Sequence, residues 1–211
     1  MSIFDRFVPA PRLVARLVPD CARPGRPARS SGPGRLFAPG LRQVEVLVGD
    51  TAVSDPVDPM THGGPALCRR AAMDGLRALH QPRHQTLTAG RAKVETFVAD
   101  DVFGASRLLL LDELLAEALL VERPSHGTLV VVPNRHLLAV HVLESVRAIP
   151  AALGLLGELA VVEHRIAEPL SPWVYFRASD GHLSLLANPT ERPSLDPRFN
   201  AVLRDLTSAE D

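Results

Sequence analysis

Three pairs of short strand-like runs, each pair closed by a few turn residues, constrain this chain more than any other feature. The first pair is His84–Ala89 and Ala92–Ala99, where Gly90 can supply the positive φ of a tight turn. The second is Thr128–Val132 and Leu137–Leu143, two nearly all-apolar runs joined by Pro133, Asn134, Arg135 and His136. The third is Ser171–Arg177 and His182–Ala187 around Ser179, Asp180 and Gly181, and an Asp-Gly step is a strong hairpin signal. Runs joined this closely must pair antiparallel, because a parallel pair needs a crossover of about a dozen residues or more. The predicted fold class is therefore α+β: a mainly antiparallel sheet built from β-hairpins, with amphipathic helices packed against it. A doubly wound nucleotide fold is excluded by the same argument, and no internal repeat holds at a fixed period.

The segments between the pairs read as helices. Pro65–His80 carries Leu67, Cys68, Ala71, Ala72, Leu76 and Leu79 on one stripe, with Pro65 suited to the first helical position. Ser106–Val121 gathers Leu108, Leu109, Leu111, Leu115, Ala118 and Leu119 on a broad face and is predicted to anchor the core. Pro150–Glu163 and Asp196–Leu206 follow, the latter with Asp196 as N-cap and Pro197 next to it. Ahead of them Gln43–Val48 reads as a strand, and residues 49–64 read as a polar loop. In Ala92–Ala99 the alternation of Val94, Thr96 and Val98 with Glu95 and Phe97 predicts one half-exposed face.

The first forty residues read differently. Phe4, Phe7, Val8, Leu13, Val14, Leu17 and Val18 recur at helical spacing, so residues 1–18 are predicted to form a short amphipathic helix. Residues 19–40 hold five prolines and four glycines and read as a flexible Pro/Gly/Arg-rich linker. The predicted folded body, a single α+β domain, spans 41–190, and 191–211 form a short helix and tail.

Composition narrows the function classes. No stretch approaches the roughly 18 uninterrupted apolar residues of a membrane-spanning helix. Two cysteines, Cys21 and Cys68, predict no disulfide framework and point to a reducing compartment, hence a cytoplasmic location. The net charge is −1, but residues 1–40 hold seven arginines against two aspartates, a basic head on an acidic body. Lys93 is the sole lysine, so the arginines read as a coding bias rather than phosphate recognition. With one tryptophan and one tyrosine there is no stacking platform, and no specific nucleic-acid partner is expected.

Tested motif by motif, the chain carries no catalytic or cofactor signature. Phosphate loops, the G-x-S-x-G elbow, H-E-x-x-H and paired C-x-x-C are all missing, so no metal and no cofactor is expected. Gly63 and Gly64 before Pro65 read as a loop end, and Cys68 as a buried inert thiol. What remains is polar residues at element ends. Asp50 ends the first strand, Asp100 and Asp101 end a hairpin strand, and Ser106 and Arg107 open the leucine-rich helix. Asn134 and Arg135 occupy the tight turn. If Asp100, Asp101, Ser106, Arg107, Asn134 and Arg135 converge, they form a polar patch able to hold a small anion or a peptide backbone. Each also has a plain role: Ser106 as a helix cap, the aspartates at the positive end of a helix, Asn134 as a left-handed turn residue.

Residues 99–115 (ADDVFGASRLLLLDELL), 129–143 (LVVVPNRHLLAVHVL) and 168–183 (EPLSPWVYFRASDGHL) together resemble the YtpQ-like family of uncharacterised bacterial proteins. The resemblance spans about residues 43–187, with His136 where the pattern has an acidic residue. It implies a cytoplasmic bacterial protein and no particular chemistry. Three functions follow as expectations. The first is a non-enzymatic binding or regulatory domain, whose partner is another protein or a small anionic ligand. The second is a small hydrolase or transferase centred on Asp100, Asp101, Ser106 and Arg135. The third is a partner-anchoring scaffold that docks residues 1–18 as a helix.

Overall fold

A computed structural model of the chain describes residues 11–20, 34–49, 52–166, 168–187 and 196–210. Among the described residues ten strands form two sheets, and every pairing is antiparallel. The larger sheet contains β5 (Arg83–Ala89), β6 (Ala92–Val98), β7 (Thr128–Val131), β8 (Leu137–Val142), β9 (Val174–Arg177) and β10 (Leu183–Ala187). Its order is β10-β9-β7-β8-β6-β5, so all three predicted hairpins are present and the apolar pair β7–β8 lies at the centre. The Asp180 turn is longer than a two-residue loop: Ala178 N–H donates to the His182 carbonyl at 2.9 Å, and the Asp180 carboxylate accepts the His182 amide at 2.9 Å.

Alternation along these strands sorts side chains to two cores. Val130, Val132, Leu138, Val140 and Tyr175 face one way, onto Leu108, Leu111, Leu114 and Leu115. Leu129, Val131, Ala139, Leu143 and Phe176 face the other, onto α3 (Ile149–Ile166) and α4 (Pro197–Glu210) through Ile149, Ala152, Leu156, Phe199 and Leu206. The central strands are thus covered on both faces, which is why their sequence is apolar without alternation. Neither face of β6 is half-exposed as the pattern predicted: Glu95 and Phe97 are buried, and so is Val94.

The smaller sheet corrects the reading of the first forty residues. Arg12–Pro19 is β1, a strand and not part of a helix. It pairs along its whole length with β3 (Leu41–Val48), from Arg12 opposite Val48 to Pro19 opposite Leu41. Val14, Ala15 and Leu17 are buried on both faces of the strand, so its apolar residues do not alternate and resemble a helical stripe, and Pro11 denies a helix its preceding turn. The adjacent β-rich strand then offers β1 a complete ladder, which no isolated helix of this length could match. Residues 1–10 lie outside the described residues. Within the expected linker, Arg35–Ala38 is β2 on the other side of β3, and Pro39-Gly40 turn directly into it; residues 21–33 lie outside the described residues. The folded unit therefore includes β1 and β2, ahead of Leu41.

The expected 49–64 loop contains β4 (Val53–Pro56), also paired with β3, and a 3-10 turn at Pro59–His62. Helix α1 (Pro65–Arg77) lies against β1 so closely that a Cβ on Gly75 would sit 1.8 Å from the Leu13 carbonyl oxygen. Its Ala72 and Leu76, with Val14, Ala15, Val44, Val46 and Phe103, make a third cluster. The expected helix over 106–121 divides into a 3-10 segment, Ala105–Leu110, and α2 (Leu111–Leu119), which ends on Leu120 at φ 58°. The backbone breaks at Leu110 (φ −117°, ψ 24°), where consecutive leucines serve two cores: Leu108 and Leu111 enter the central one, Leu110 packs against α1's cluster, and Leu109 touches both. The C-terminal helix runs past Leu206 to Glu210, and Asp196 caps it by accepting the Arg198 amide at 2.7 Å.

Candidate functional site

The turn between β7 and β8 is built by Asn134. Its Oδ1 accepts the amides of His136 (2.9 Å) and Leu137 (3.1 Å), and its Nδ2 donates to the Glu163 carbonyl at the end of α3 (3.2 Å). The rest of the turn ties down its neighbours. The Arg135 carbonyl accepts the Ala105 amide at 3.0 Å, and the His136 carbonyl accepts the Ala99 amide at 2.9 Å. Nδ1 of His136 lies 2.8 Å from the Asp101 carbonyl, which can only accept, so that nitrogen carries the proton. The Arg135 guanidinium pairs with Glu168, and its amide donates to the Glu168 carbonyl at 3.3 Å.

One loop away, Asp101 and Arg107 form a two-pronged ion pair with contacts of 3.0 and 2.9 Å. Arg107 also donates to the His80 carbonyl just beyond α1 (2.5 Å), and Asp101 accepts the Phe103 amide (2.8 Å). Burial pushes the Asp101 carboxyl up, but the Arg107 and Phe103 hydrogen bonds, with the charges of Arg107 and His136, hold it below its ordinary value. Arg107 itself is buried, its side chain 5% exposed. Ser106, also buried, accepts the Leu17 amide of β1 on its Oγ at 3.0 Å.

Of the six predicted residues Asp101 and Arg107 pair directly, while backbone hydrogen bonds tie the Asn134–Arg135 turn to the segment that carries Ser106. Asp100 does not join them; it pairs with Arg83 on the surface at 3.0 Å. Asp50 lies outside the described residues. Asp101, Ser106, Arg107, Asn134 and Arg135 each hold loops together rather than framing an open site. Asp101 and Arg107 satisfy one another, Asn134 has four hydrogen-bonding contacts within the fold, and the recorded contact of the Ser106 hydroxyl is a backbone amide rather than a base. A nucleophile needs a base within hydrogen-bond reach, and this serine has none among the described residues.

Two features escaped the sequence reading. Glu95 accepts from Thr86 Oγ1 and pairs with His84 Nε2, each at 2.7 Å, and the His84 ring stacks on Phe97 with centroids 4.9 Å apart. Only the strand register, which sets His84 beside Phe97 and Thr86 beside Glu95, reveals that cluster. The second is Arg16. Its Nε is buried with no hydrogen-bond partner among the described residues, and burial lowers its pKa. Arg135 is lowered too, first by burial and then by the charge of Arg16. The signal was present in the run Arg12-Leu-Val-Ala-Arg-Leu-Val, where a charge interrupts apolar residues.

A groove of about 160 Å³ runs between the end of α1 and α2. Leu76, Leu79, Leu110 and Leu114 line it, with Arg77 paired to Glu113 at 2.8 Å on its rim. Among the described residues no group of three or more His, Cys, Asp or Glu could hold a metal, and no helix is long and apolar enough to cross a membrane. Compared with known protein families, with curated proteins and with solved structures, the chain finds no significant match in any of the three.

Proposed function

We propose that this chain is a non-enzymatic binding or regulatory domain of a cytoplasmic bacterial protein. The location and source rest on the resemblance to the YtpQ-like family and on the cysteine content. One observation supports the reading: the groups a catalyst would use are engaged in structural hydrogen bonds and ion pairs. Ser106 accepts a strand amide, and Asp101 is locked in a fork with a buried arginine, so neither is poised to attack a substrate or to move a proton. The hydrolase or transferase reading loses its nucleophile and its acid–base pair on this ground. The scaffold reading is weakened because residues 12–19, within the expected docking helix, are a strand in the smaller sheet.

A binding domain leaves the rate of any test reaction at the buffer level. The full chain, assayed against chromogenic phosphomonoester, carboxylic ester and peptide substrates, is expected to give no turnover. Turnover that disappears in Ser106→Ala or Asp101→Asn while the far-UV spectrum is preserved would restore the enzyme reading.

A further inference from the structure

We infer that β5 (Arg83–Ala89) is the interface of a closed dimer, in which it pairs antiparallel with β5 of a second copy about a two-fold axis at Thr86. The contact is independent of any catalytic role, and the partner is the chain itself.

An edge strand presents a row of unpaired N–H and C=O groups, and folds guard such rows. Among the described residues every other edge is guarded. β1 lies under α1, with Gly75 against the Leu13 carbonyl, and Ser106 takes up the Leu17 amide. β2 and β4 span only four residues each, and β10 carries a bulge between Leu185 and Ala187. β5 has none of these devices. It is the end strand of the larger sheet, seven residues long, and its register with β6 is unbroken. It holds no proline, and past Arg83 it holds no Asp, Glu, Lys or Arg. Arg83, His84, Gln85, Thr86 and Thr88 are all exposed.

The turn decides which backbone groups are free. Ala89 and Ala92 close a two-residue loop, so they exchange main-chain hydrogen bonds. The alternation of an antiparallel ladder carries that pattern to Leu87, Gln85 and Arg83. His84, Thr86 and Thr88 therefore aim their amides and carbonyls away from β6, and none of these groups meets a backbone partner among the described residues. The same alternation makes the edge its own complement. About a two-fold axis at Thr86, that residue faces its own copy and His84 faces Thr88 of the second chain. Every free amide and carbonyl of the strand then finds a partner, and no like charges come to stand opposite.

Charge favours a second copy over an unrelated extended peptide. The turn end of the β5–β6 hairpin carries Arg91 and Lys93, both exposed and without an ion pair among the described residues. The far end of β5 carries Asp100, held by Arg83 at 3.0 Å, and Glu117, held by Gln81 at 2.8 Å. The two-fold axis sets the basic end of each copy beside the acidic end of the other, whereas a parallel pairing would set like ends together. The pairing also consumes both free edges at once, so assembly closes at two. The bulge in β10 denies β5 the head-to-tail contact that would build a fibre.

The test uses the full chain. Sedimentation equilibrium over about 1–500 µM is expected to show a reversible monomer–dimer transition, because a strand-pair contact lies at the small end of specific interfaces. At dimer-forming concentration the amides of His84, Thr86 and Thr88 are expected to exchange about tenfold more slowly than in the dilute chain. Those of Gln85 and Leu87, bonded to β6, should be slow in both. Thr88→Pro removes an outward amide and no bond to β6, a change that an edge strand tolerates. It is expected to weaken dimerisation at least about tenfold at an unchanged far-UV spectrum. Arg91→Glu, on the exposed turn, is expected to weaken it at least about threefold. The interface is overturned if the chain stays monomeric over the whole range, or if a dimer forms without slowing those three amides. It is equally overturned if folded Thr88→Pro, or Arg91→Glu, dimerises like the parent. A chain that stays monomeric while its β5 edge captures a synthetic peptide of residues 83–89 would assign the edge to a different protein, and that too sinks the dimer. None of these outcomes bears on turnover, so the dimer can fail while the binding-domain reading stands.

Discussion

The amide of Leu17 donates to the Ser106 hydroxyl across 3.0 Å of space and 89 residues of sequence. Ser106 thus acts as a side-chain continuation of the smaller sheet, satisfying β1 at its outer edge with an oxygen from the segment that leads into α2. A buried amide stripped of its acceptor costs about 1–3 kcal/mol. Ser106→Ala is therefore expected to lower the unfolding free energy by about that amount, read from the urea midpoint at unchanged slope. A change under about 0.5 kcal/mol would mean that the bond does not hold β1 in place.

Gly104 stands where the loop after β6 crosses the β7–β8 turn, and a Cβ there would lie 2.0 Å from the His136 carbonyl oxygen. Its backbone is ordinary helical (φ −50°), so the constraint is space and not conformation. The obstacle is main chain and cannot rotate away. Gly104→Ala is expected to destabilise by about 1–3 kcal/mol or more, as overpacking does. Gly154→Ala makes the matched control. That glycine is helical with nothing within 4 Å of the added carbon, so the change is expected to stabilise by about 0.5–1 kcal/mol. Thermal melts that rank the two alike would contradict the packing at the junction.

The larger sheet was legible because its hairpins are local: each pair of strands is closed by a few turn residues, and the apolar β7–β8 pair could only be central. The smaller sheet was not. Its β1–β3 ladder joins runs separated by a segment rich in proline and glycine, and no local signal tells Leu13-Val14-Ala15-Arg16-Leu17-Val18 that its partner begins at Leu41. The polar residues were legible as types and not as roles. Asp101 pairs with Arg107, and Ser106 holds the amide of Leu17 in β1, a contact that only the long-range β1–β3 pairing makes possible. Arg16 became visible only once the helix over residues 1–18 was replaced by a strand.

The Asp101–Arg107 fork gives stability a defined pH dependence. The Asp101 carboxyl titrates lower in the folded chain than in the unfolded one, so the folded state binds its proton less readily. The contribution is therefore complete above the unfolded value, about 3.9 for aspartate, and is lost as pH falls through the folded value. Asp101→Asn removes that contribution while keeping the side chain's shape. The gap in melting temperature between parent and variant is expected to be widest near neutral pH and to close progressively below about pH 4. Other carboxylates are common to both proteins and cancel in the difference. A gap that stays constant down to pH 3 would show that the charge of Asp101 adds nothing to the fork.

Tyr175 is the chain's sole tyrosine, so its ionisation can be followed spectroscopically without interference. It is fully buried in β9, and its hydroxyl lies 2.8 Å from the Pro39 carbonyl and 2.8 Å from Ser171 Oγ. The Pro39 carbonyl can only accept, so the one phenolic hydrogen goes there and Ser171 is the donor to Tyr175. Ser171 in turn accepts the Trp173 amide at 3.3 Å, giving a relay that fastens the larger sheet to the β2–β3 turn. Burial raises the Tyr175 pKa, and the Ser171 hydrogen bond only partly opposes it. Because the folded value lies above the unfolded one of about 10, the folded chain stays protonated through the range where free tyrosine ionises. An alkaline titration is therefore expected to show no phenolate absorbance until the chain unfolds, and the two signals should appear together. Tyr175→Phe is expected to cost about 1–2 kcal/mol by leaving the Pro39 carbonyl unpaired. A double-mutant cycle with Ser171→Ala should show coupling of at least about 0.5 kcal/mol, since both residues belong to one relay. Ionisation near pH 10 with the fold intact would place this hydroxyl in contact with water and dissolve the link between the sheets.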